Sequence, residues 1–226
     1  NIHRSLYSGR NWEYFSEDGF LSGKILSAEV TGLQSKGIMV MTKHFAFNDQ
    51  ERNRYGVATF FNEQSAREIY LRPFEIAVRE GNMNGVMSSF NRIGCTWAGA
   101  HKGLLTDILR DEWNFIGMVE TDSCTGNTFH MGDKWAKAEG LVAGNDLWMA
   151  NGSETYFEDS KDNPTVMLAL RKACHRILYN QLHSFAMNGV STSTRIIKIT
   201  PWWQIALTSA AVTMGVITLA CVVMAV

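Results

Sequence analysis

Basic side chains nowhere gather into a dominant run in this chain of 226 residues, and its formal net charge is −1. A nucleic-acid partner selects a concentrated positive face, so none is expected. The four cysteines, Cys95, Cys124, Cys174 and Cys221, show neither metal-ligand spacing nor the regularity of a disulfide framework. They are expected to be free thiols packed as small apolar side chains. His3, His101, His130, His175 and His183 share no ligand spacing either, so neither a metal nor another cofactor is expected. There is no internal repeat and no low-complexity segment. The chain opens on Asn1-Ile2-His3-Arg4, without an initiator methionine or a signal peptide.

What is present is a regular alternation. Hydrophobic residues make up 46% of the chain, enough for one substantial core. Leu21, Ile25, Leu26 and Val30 recur at helical spacing within 20–34, and the apolar run 38–42 then reads as a strand ending on Lys43-His44. A polar loop over 48–62 opens a second helix, 63–79, with Ile69, Phe74 and Val78 facing inward. A strand over 85–89, a helix over 104–113 and a short strand over 118–121 follow, the last ending on Asp122; the apolar segment 140–146 comes next. Asn163 and Pro164 have the cap and first-turn signature of a helix running to about Ala186. Four such units indicate an α/β fold with parallel strands, and a complete barrel of this kind takes ~250 residues. The expected fold is therefore a partial (β/α)8 TIM-type barrel over 1–187, then a linker over 188–201. Barrel chemistry sits at the carboxyl ends of the strands, which places Lys43, His44 and Asp122 on one rim.

Residues 202–226 carry no charged side chain. A run of ~25 apolar residues crosses a hydrocarbon core of ~30 Å with some tilt. Trp202 and Trp203 stand at its start, where interfacial indoles are favoured, and Arg195 and Lys198 lie just before it. A soluble helix would normally show a polar stripe. The run is read as a single-pass transmembrane helix with the bilayer as its partner. Its basic flank favours a cytoplasmic N-terminal side, but the opposite flank, which would fix the side of the membrane, is not in the chain.

Four segments carry a resemblance: Gly9-Arg-Asn-Trp-Glu-Tyr-Phe-Ser-Glu-Asp18, Lys43-His-Phe-Ala-Phe-Asn-Asp-Gln-Glu-Arg-Asn-Arg54, Val86-Met-Ser-Ser-Phe-Asn-Arg92 and Gly117-Met-Val-Glu-Thr-Asp122. In this order and at these intervals they resemble the barrel domain of glycoside hydrolase family 3, the β-glucosidase-type enzymes, over roughly residues 1–150. The resemblance implies that Asp122 is the nucleophile of a retaining mechanism, which needs a carboxylate on one face of the sugar and a proton donor on the other. It implies that Arg10, Lys43, His44 and Arg54 hold the hydroxyls of the terminal sugar. Convergent cations would also keep a nearby carboxylate ionised. Glu13 and Glu51 can accept hydrogen bonds from these cations and are read as supporting groups.

Three departures from the family pattern stand out. Phe90 replaces a tyrosine found in many members, so it offers an apolar wall in place of a hydroxyl. Ser123-Cys124 follows the aspartate where many members have tryptophan. The Asp-x-His loop of the N-acetylglucosaminidase branch is absent after Lys43-His44-Phe45, which favours a glucosidase-like substrate. The opening barrel strands and the separate acid/base domain of the family plan have no counterpart here. The reading is thus a retaining, exo-acting β-glucosidase-like enzyme that cleaves terminal β-linked sugars through a covalent glycosyl-Asp intermediate. Its β-linked oligosaccharide or glycoside would be met by a fragment inactive in isolation, lacking half the barrel and the acid/base domain. The alternative is a non-catalytic, membrane-anchored carbohydrate-binding protein. The anchor itself has a direct check: alkaline carbonate extraction should leave the protein in the membrane pellet, and release into the supernatant would contradict the span.

Overall fold

The computed structural model describes residues 1–123, 135–149, 157, 160–185, 193–195 and 197–225. The chain divides into two compact units, Asn1–Asn188 and Gly189–Val226. In the first, α1 (Gly19–Gln34) leads to β1 (Thr42–Phe45), then β2 (Ala58–Thr59) and α2 (Glu63–Ser65). A π-wound turn, Ala66–Tyr70, joins α2 to α3 (Arg72–Gly81), where Pro73 in the first turn lacks the N–H that would continue the preceding winding. Next come β3 (Gly85–Ser88), the hairpin β4 (Arg92–Ile93) and β5 (Thr96–Trp97), a π-wound helix Gly103–Glu112, β6 (Met118–Thr121), α4 (Trp135–Ala143) and α5 (Pro164–Leu182). The second unit holds α6 (Trp202–Ala225), whose stretch Trp202–Met224 is long and apolar enough to cross a membrane, with a mean hydropathy of 2.1 over its most apolar 18 residues.

The main sheet is parallel with strand order β1-β3-β6. β3 and β6 pair without a slip from Gly85↔Met118 to Ser88↔Thr121, and Leu147 extends the sheet by a parallel bridge to Glu120. All four residues of β3 are buried, as a central parallel strand covered on both faces requires. Gly85 and Gly117 open β3 and β6 where neighbouring backbone crosses: a Cβ there would lie 2.4 Å from the Val40 carbonyl oxygen and 2.1 Å from that of Asn84. β2, β4 and β5 form a separate small mixed sheet.

Phe45, Val86 and Val119 project from the sheet into a core completed by Phe74, Leu104, Leu105, Leu109 and Trp113. Phe45 meets Phe74 edge-on at 5.0 Å and Trp113 at 6.0 Å. Leu141, Val166 and Ala173 form a second cluster where α4 meets α5.

Several expectations need correction. The first strand begins at Thr42 rather than Ile38, because the ladder to β3 starts at Thr42↔Val86 and Ile38 is left half exposed. Lys43 and His44 therefore lie within the strand and not beyond its end. Leu21 and Ile25 are exposed, since α1 turns its small residues Gly19, Ser22, Gly23 and Ser27 toward α3; a Cβ on Gly23 would meet Ile76 Cδ1 at 2.7 Å. Ile69 is likewise exposed, in the π-wound turn, while Phe74 and Val78 point inward as expected. The segment 140–146 divides, its first half ending α4 and its second half entering the sheet edge. Cys95, Cys174 and Cys221 are free but exposed, not packed, because they sit in a hairpin turn and on outward helix faces; Cys124 and Ala186 fall outside the described residues. Removing the ring that joins sheet to helices should be costly: Phe45→Ala is expected to lower stability by about 3–5 kcal/mol in urea unfolding, and a loss below about 1 kcal/mol would contradict this core.

Candidate active site

Asp122 continues β6 by one residue, its N–H donating to Ser88 O at 3.2 Å. The Ser123 N–H then donates to Asp122 Oδ1 at 2.7 Å and fixes the carboxylate at the strand end. On the opposite side of β3, β1 presents His44, 1% exposed, with Nε2 3.2 Å from Asp122 Oδ2. Arg10 Nη1 also lies 3.2 Å from His44 Nε2. Arg10 can only donate and the carboxylate can only accept, so this nitrogen serves one of them at a time.

The cations are held by carboxylates in an alternating array. Lys43 Nζ is 3.1 Å from Glu13 Oε2, and Arg10 Nε bonds the other oxygen of Glu13. Arg10 Nη1 is 3.8 Å from Glu51 Oε1, whose second oxygen accepts from Arg54 Nη1 at 2.9 Å. Asn48 Nδ2 also donates to Glu51, at 3.0 Å. Arg54 lies over the Phe90 ring at 4.9 Å and the Tyr55 ring at 5.2 Å, and those two rings pack together at 4.8 Å. Phe90 is buried, between the Tyr55 ring and the Arg54 guanidinium.

Of the residues singled out from the sequence, His44 directly contacts Asp122, Arg10 reaches it through His44, and Arg54 lies close enough to influence its charge. Lys43 joins the array through Glu13, with its side chain 42% exposed. Glu13 and Glu51 prove to be the joints of the frame. Tyr55 was not anticipated; its aromatic character beside Arg54 was the available signal. Glu120 was also missed. It shares a strand face with Asp122 two residues on, and a charged residue in an otherwise apolar strand marked it.

A deeper layer fixes the strand. Asp146 Oδ2 accepts from Val119 N at 2.8 Å and from Arg110 Nη2 at 2.7 Å, while Oδ1 accepts from Arg176 Nη1 at 2.8 Å. Arg110 also donates to the carbonyls of Gly117 and Gly144. Helix 103–112, α5 and β6 thus converge on one buried carboxylate. Burial pushes Asp146 up and lowers Arg110 to about 10, while these hydrogen bonds work in favour of both charges.

Burial also pushes the Asp122 carboxyl up, but His44, the Ser123 N–H and the Arg54 charge outweigh it and hold it below the usual carboxylate range. For His44 burial wins over the attraction of Asp122, and its pKa is depressed. For Glu120, burial and then the Asp122 charge raise the pKa. The site therefore joins an ionised carboxylate to a neutral imidazole at neutral pH. Among the described residues, no group of three or more His, Cys, Asp or Glu is arranged to hold a metal.

A depressed histidine pKa means that the unfolded chain takes up a proton first as pH falls below about 6.5. The contribution of His44 to stability is complete above that pH and is lost on the way down to its folded pKa. Glu120, Asp49 and Asp146 have raised pKa values and act in the opposite sense, so the difference between variants isolates His44. Urea unfolding of the wild type and of His44→Gln at pH 7 and 5 should show the smaller acid loss in the variant. Equal losses would contradict a neutral, buried His44.

The glycosyl hydrolase family 3 N-terminal domain matches residues 1–178. β-Glucosidase B of Emericella nidulans is 43% identical over 148 residues, covering 66% of this chain and 17% of that protein. A β-glucosidase of Ruminococcus albus is 37% identical over 195 residues, covering 83% of this chain and 20% of its own. Among solved structures, β-glucosidase 3B from Thermotoga neapolitana in complex with glucose superposes with a TM-score of 0.69 at 34% identity, over 82% of this chain and 26% of that one. A family 3 β-glucosidase from Bifidobacterium adolescentis gives a TM-score of 0.73 at 30% identity, over 87% and 28%. The chain thus spans about a fifth of the length of these curated relatives and about a quarter of the solved ones. With the parallel α/β unit and the strand-end aspartate already described, the match places this chain in glycosyl hydrolase family 3, as a member of its N-terminal domain.

Proposed function

We propose that the chain supplies the nucleophile-bearing part of a retaining, exo-acting β-glucosidase, folded as part of a (β/α)8 barrel over residues 1–187. A linker over 188–201 and a single-pass anchor over 202–226 complete the reading. The observation that carries it is Asp122, held ionised at the end of β6 in contact with His44 and facing the charge of Arg54. The family membership and the β-glucosidase names of the relatives support the substrate class, a terminal β-linked glucoside.

In the first step an Asp122 oxygen would form a bond to the anomeric carbon while the bond to the leaving oxygen breaks. That oxygen takes a proton from an acid that no residue of this chain matches. In the second step water gives a proton to the conjugate base of that same acid while its oxygen displaces the Asp122 oxygen, which returns the carboxylate and releases the sugar with its configuration retained. Arg10, Lys43 and Arg54 would exchange part of their bonding to Glu13 and Glu51 for sugar hydroxyls. His44 would donate from Nε2 to Asp122 or to a hydroxyl beside it. Phe90, packed under Arg54, would cover the apolar face of the pocket without the hydroxyl that many members place there. A purely carbohydrate-binding protein would need the cation frame but not a carboxylate kept ionised against burial, which is why catalysis is the preferred reading.

Positioned acid catalysis contributes on the order of 10²–10⁴-fold, and this chain lacks a matching acid. The isolated 226 residues should therefore show negligible turnover of aryl β-glucosides. A polypeptide that also carries the rest of the barrel and an acid/base domain should hydrolyse them. In it, Asp122→Asn should lower kcat on the order of 10³-fold or more, because an amide is a far weaker nucleophile. Retention of wild-type kcat in that variant would overturn the assignment.

A further inference from the structure

Charge is divided along this chain in a way that the sugar site does not use. All 22 acidic residues lie before Asn163, against 16 lysines and arginines, a net of −6 for residues 1–162. From Asn163 to Val226 there is no Asp or Glu, and the charged side chains are Arg171, Lys172, Arg176, Arg195 and Lys198, a net of +5. Every one of these cations precedes α6.

α5 shows what the first three do. Its inner stripe, Val166, Ala173 and Asn180, is buried, and Asn180 Nδ2 donates to Asn84 O at 2.6 Å. Arg176 turns partly inward to Asp146. The outward face carries Leu168, Arg171, Lys172, His175, Leu178 and Leu182, at the three- and four-residue spacing of one helix side. All six are exposed, with Leu168 at 55%, Leu178 at 60% and Leu182 at 66%. Between Leu168 and Arg176 the surface dips into an open depression of about 440 Å³ lined by Leu168, Arg171, Lys172, His175 and Arg176, without an acidic group. Exposed leucines mixed with cations suit a helix lying in the interface of a bilayer, where the apolar side chains enter the acyl boundary and the cations meet headgroup phosphates.

We propose that the outward face of α5 lies on an anionic phospholipid surface. The proposal rests on the reading of α6 as a membrane span. Only residues 183–201 separate the two helices, so an inserted α6 would keep the α5 face at high local concentration beside the headgroups. Arg195 and Lys198 in that connection carry the same sign. Charge complementarity selects negatively charged lipid over a neutral surface, and juxtamembrane cations are the groups such a leaflet attracts. The acidic bulk of residues 1–162 would be repelled by the same surface, which favours the orientation with α5 down.

The test uses the full chain in nanodiscs of phosphatidylcholine alone and of phosphatidylcholine with 30% phosphatidylserine, read by amide hydrogen exchange over 164–182. The expected result is at least about tenfold slower exchange in the phosphatidylserine discs, reversed by 0.5 M salt and by Arg171→Glu/Lys172→Glu. Incorporation into both discs with equal α5 exchange would overturn the proposal and leave the anchor standing. Failure to enter either disc would sink the anchor; sedimentation with phosphatidylserine vesicles but not phosphatidylcholine vesicles would then uphold the surface, and sedimentation with neither would overturn it. Protection that rises with protein concentration in detergent would assign the face to a second copy and overturn it as well.

Discussion

Asp146 takes hydrogen bonds from Arg110, from Arg176 and from the backbone of Val119, and the position of Asp122 three residues further along β6 depends on them. The carboxylate is buried where helix 103–112, α5 and the strand come together, so its three partners set the strand's height and direction at once. Such a cluster is a poor source of net stability, because desolvating the ions offsets much of their attraction. What it provides is location: removing one partner leaves the other charges buried and uncompensated, a loss of about 3–5 kcal/mol. A reacting carboxylate displaced by 1 Å can lose on the order of 10²-fold in rate, which makes that location the relevant quantity for the proposed nucleophile.

Around Asp122 the charges are paired in the same way, nearer the surface. Lys43, Arg10 and Arg54 alternate with Glu13 and Glu51, so the cations are held in place by the chain's own carboxylates. Glu13 is held below the usual carboxylate range: burial pushes it up, but Arg10 and Lys43 outweigh it. A polar ligand entering such a frame exchanges ready-made hydrogen bonds and needs little side-chain ordering, which is the physical content of preorganisation. His44 links the frame to Asp122 through a single nitrogen.

The sequence made some of this legible and concealed the rest, for identifiable reasons. β3 and β6 were readable because each is a short, mainly apolar strand with a glycine at its start, Gly85 in β3 and Gly117 just before β6. The first strand was misplaced by four residues because Ile38, Val40 and Met41 look like a strand, whereas pairing with Val86 begins only at Thr42. The α1 helix misled in the same way: its leucine and isoleucine stripe is real, but close approach to α3 through Gly19 and Gly23 decided which side went in. Lys43, His44, Arg10, Arg54 and Asp122 were singled out through their motifs, and the structure brings His44, Arg10 and Asp122 into one chain of contacts. The Asp146 cluster was not, because residues 36 and 30 positions away complete it and no local pattern reveals such pairing.

The central claim is that Asp122 is the group that bonds to the sugar. A fluorinated β-glucoside that slows the second step, incubated with a polypeptide completing the barrel and its acid/base domain, should leave its sugar attached to one carboxylate. Mass spectrometry of the proteolysed protein should place that mass on the peptide containing Asp122, with fragment ions assigning it to that side chain. A label on Glu120, Glu13 or any other carboxylate would contradict the account.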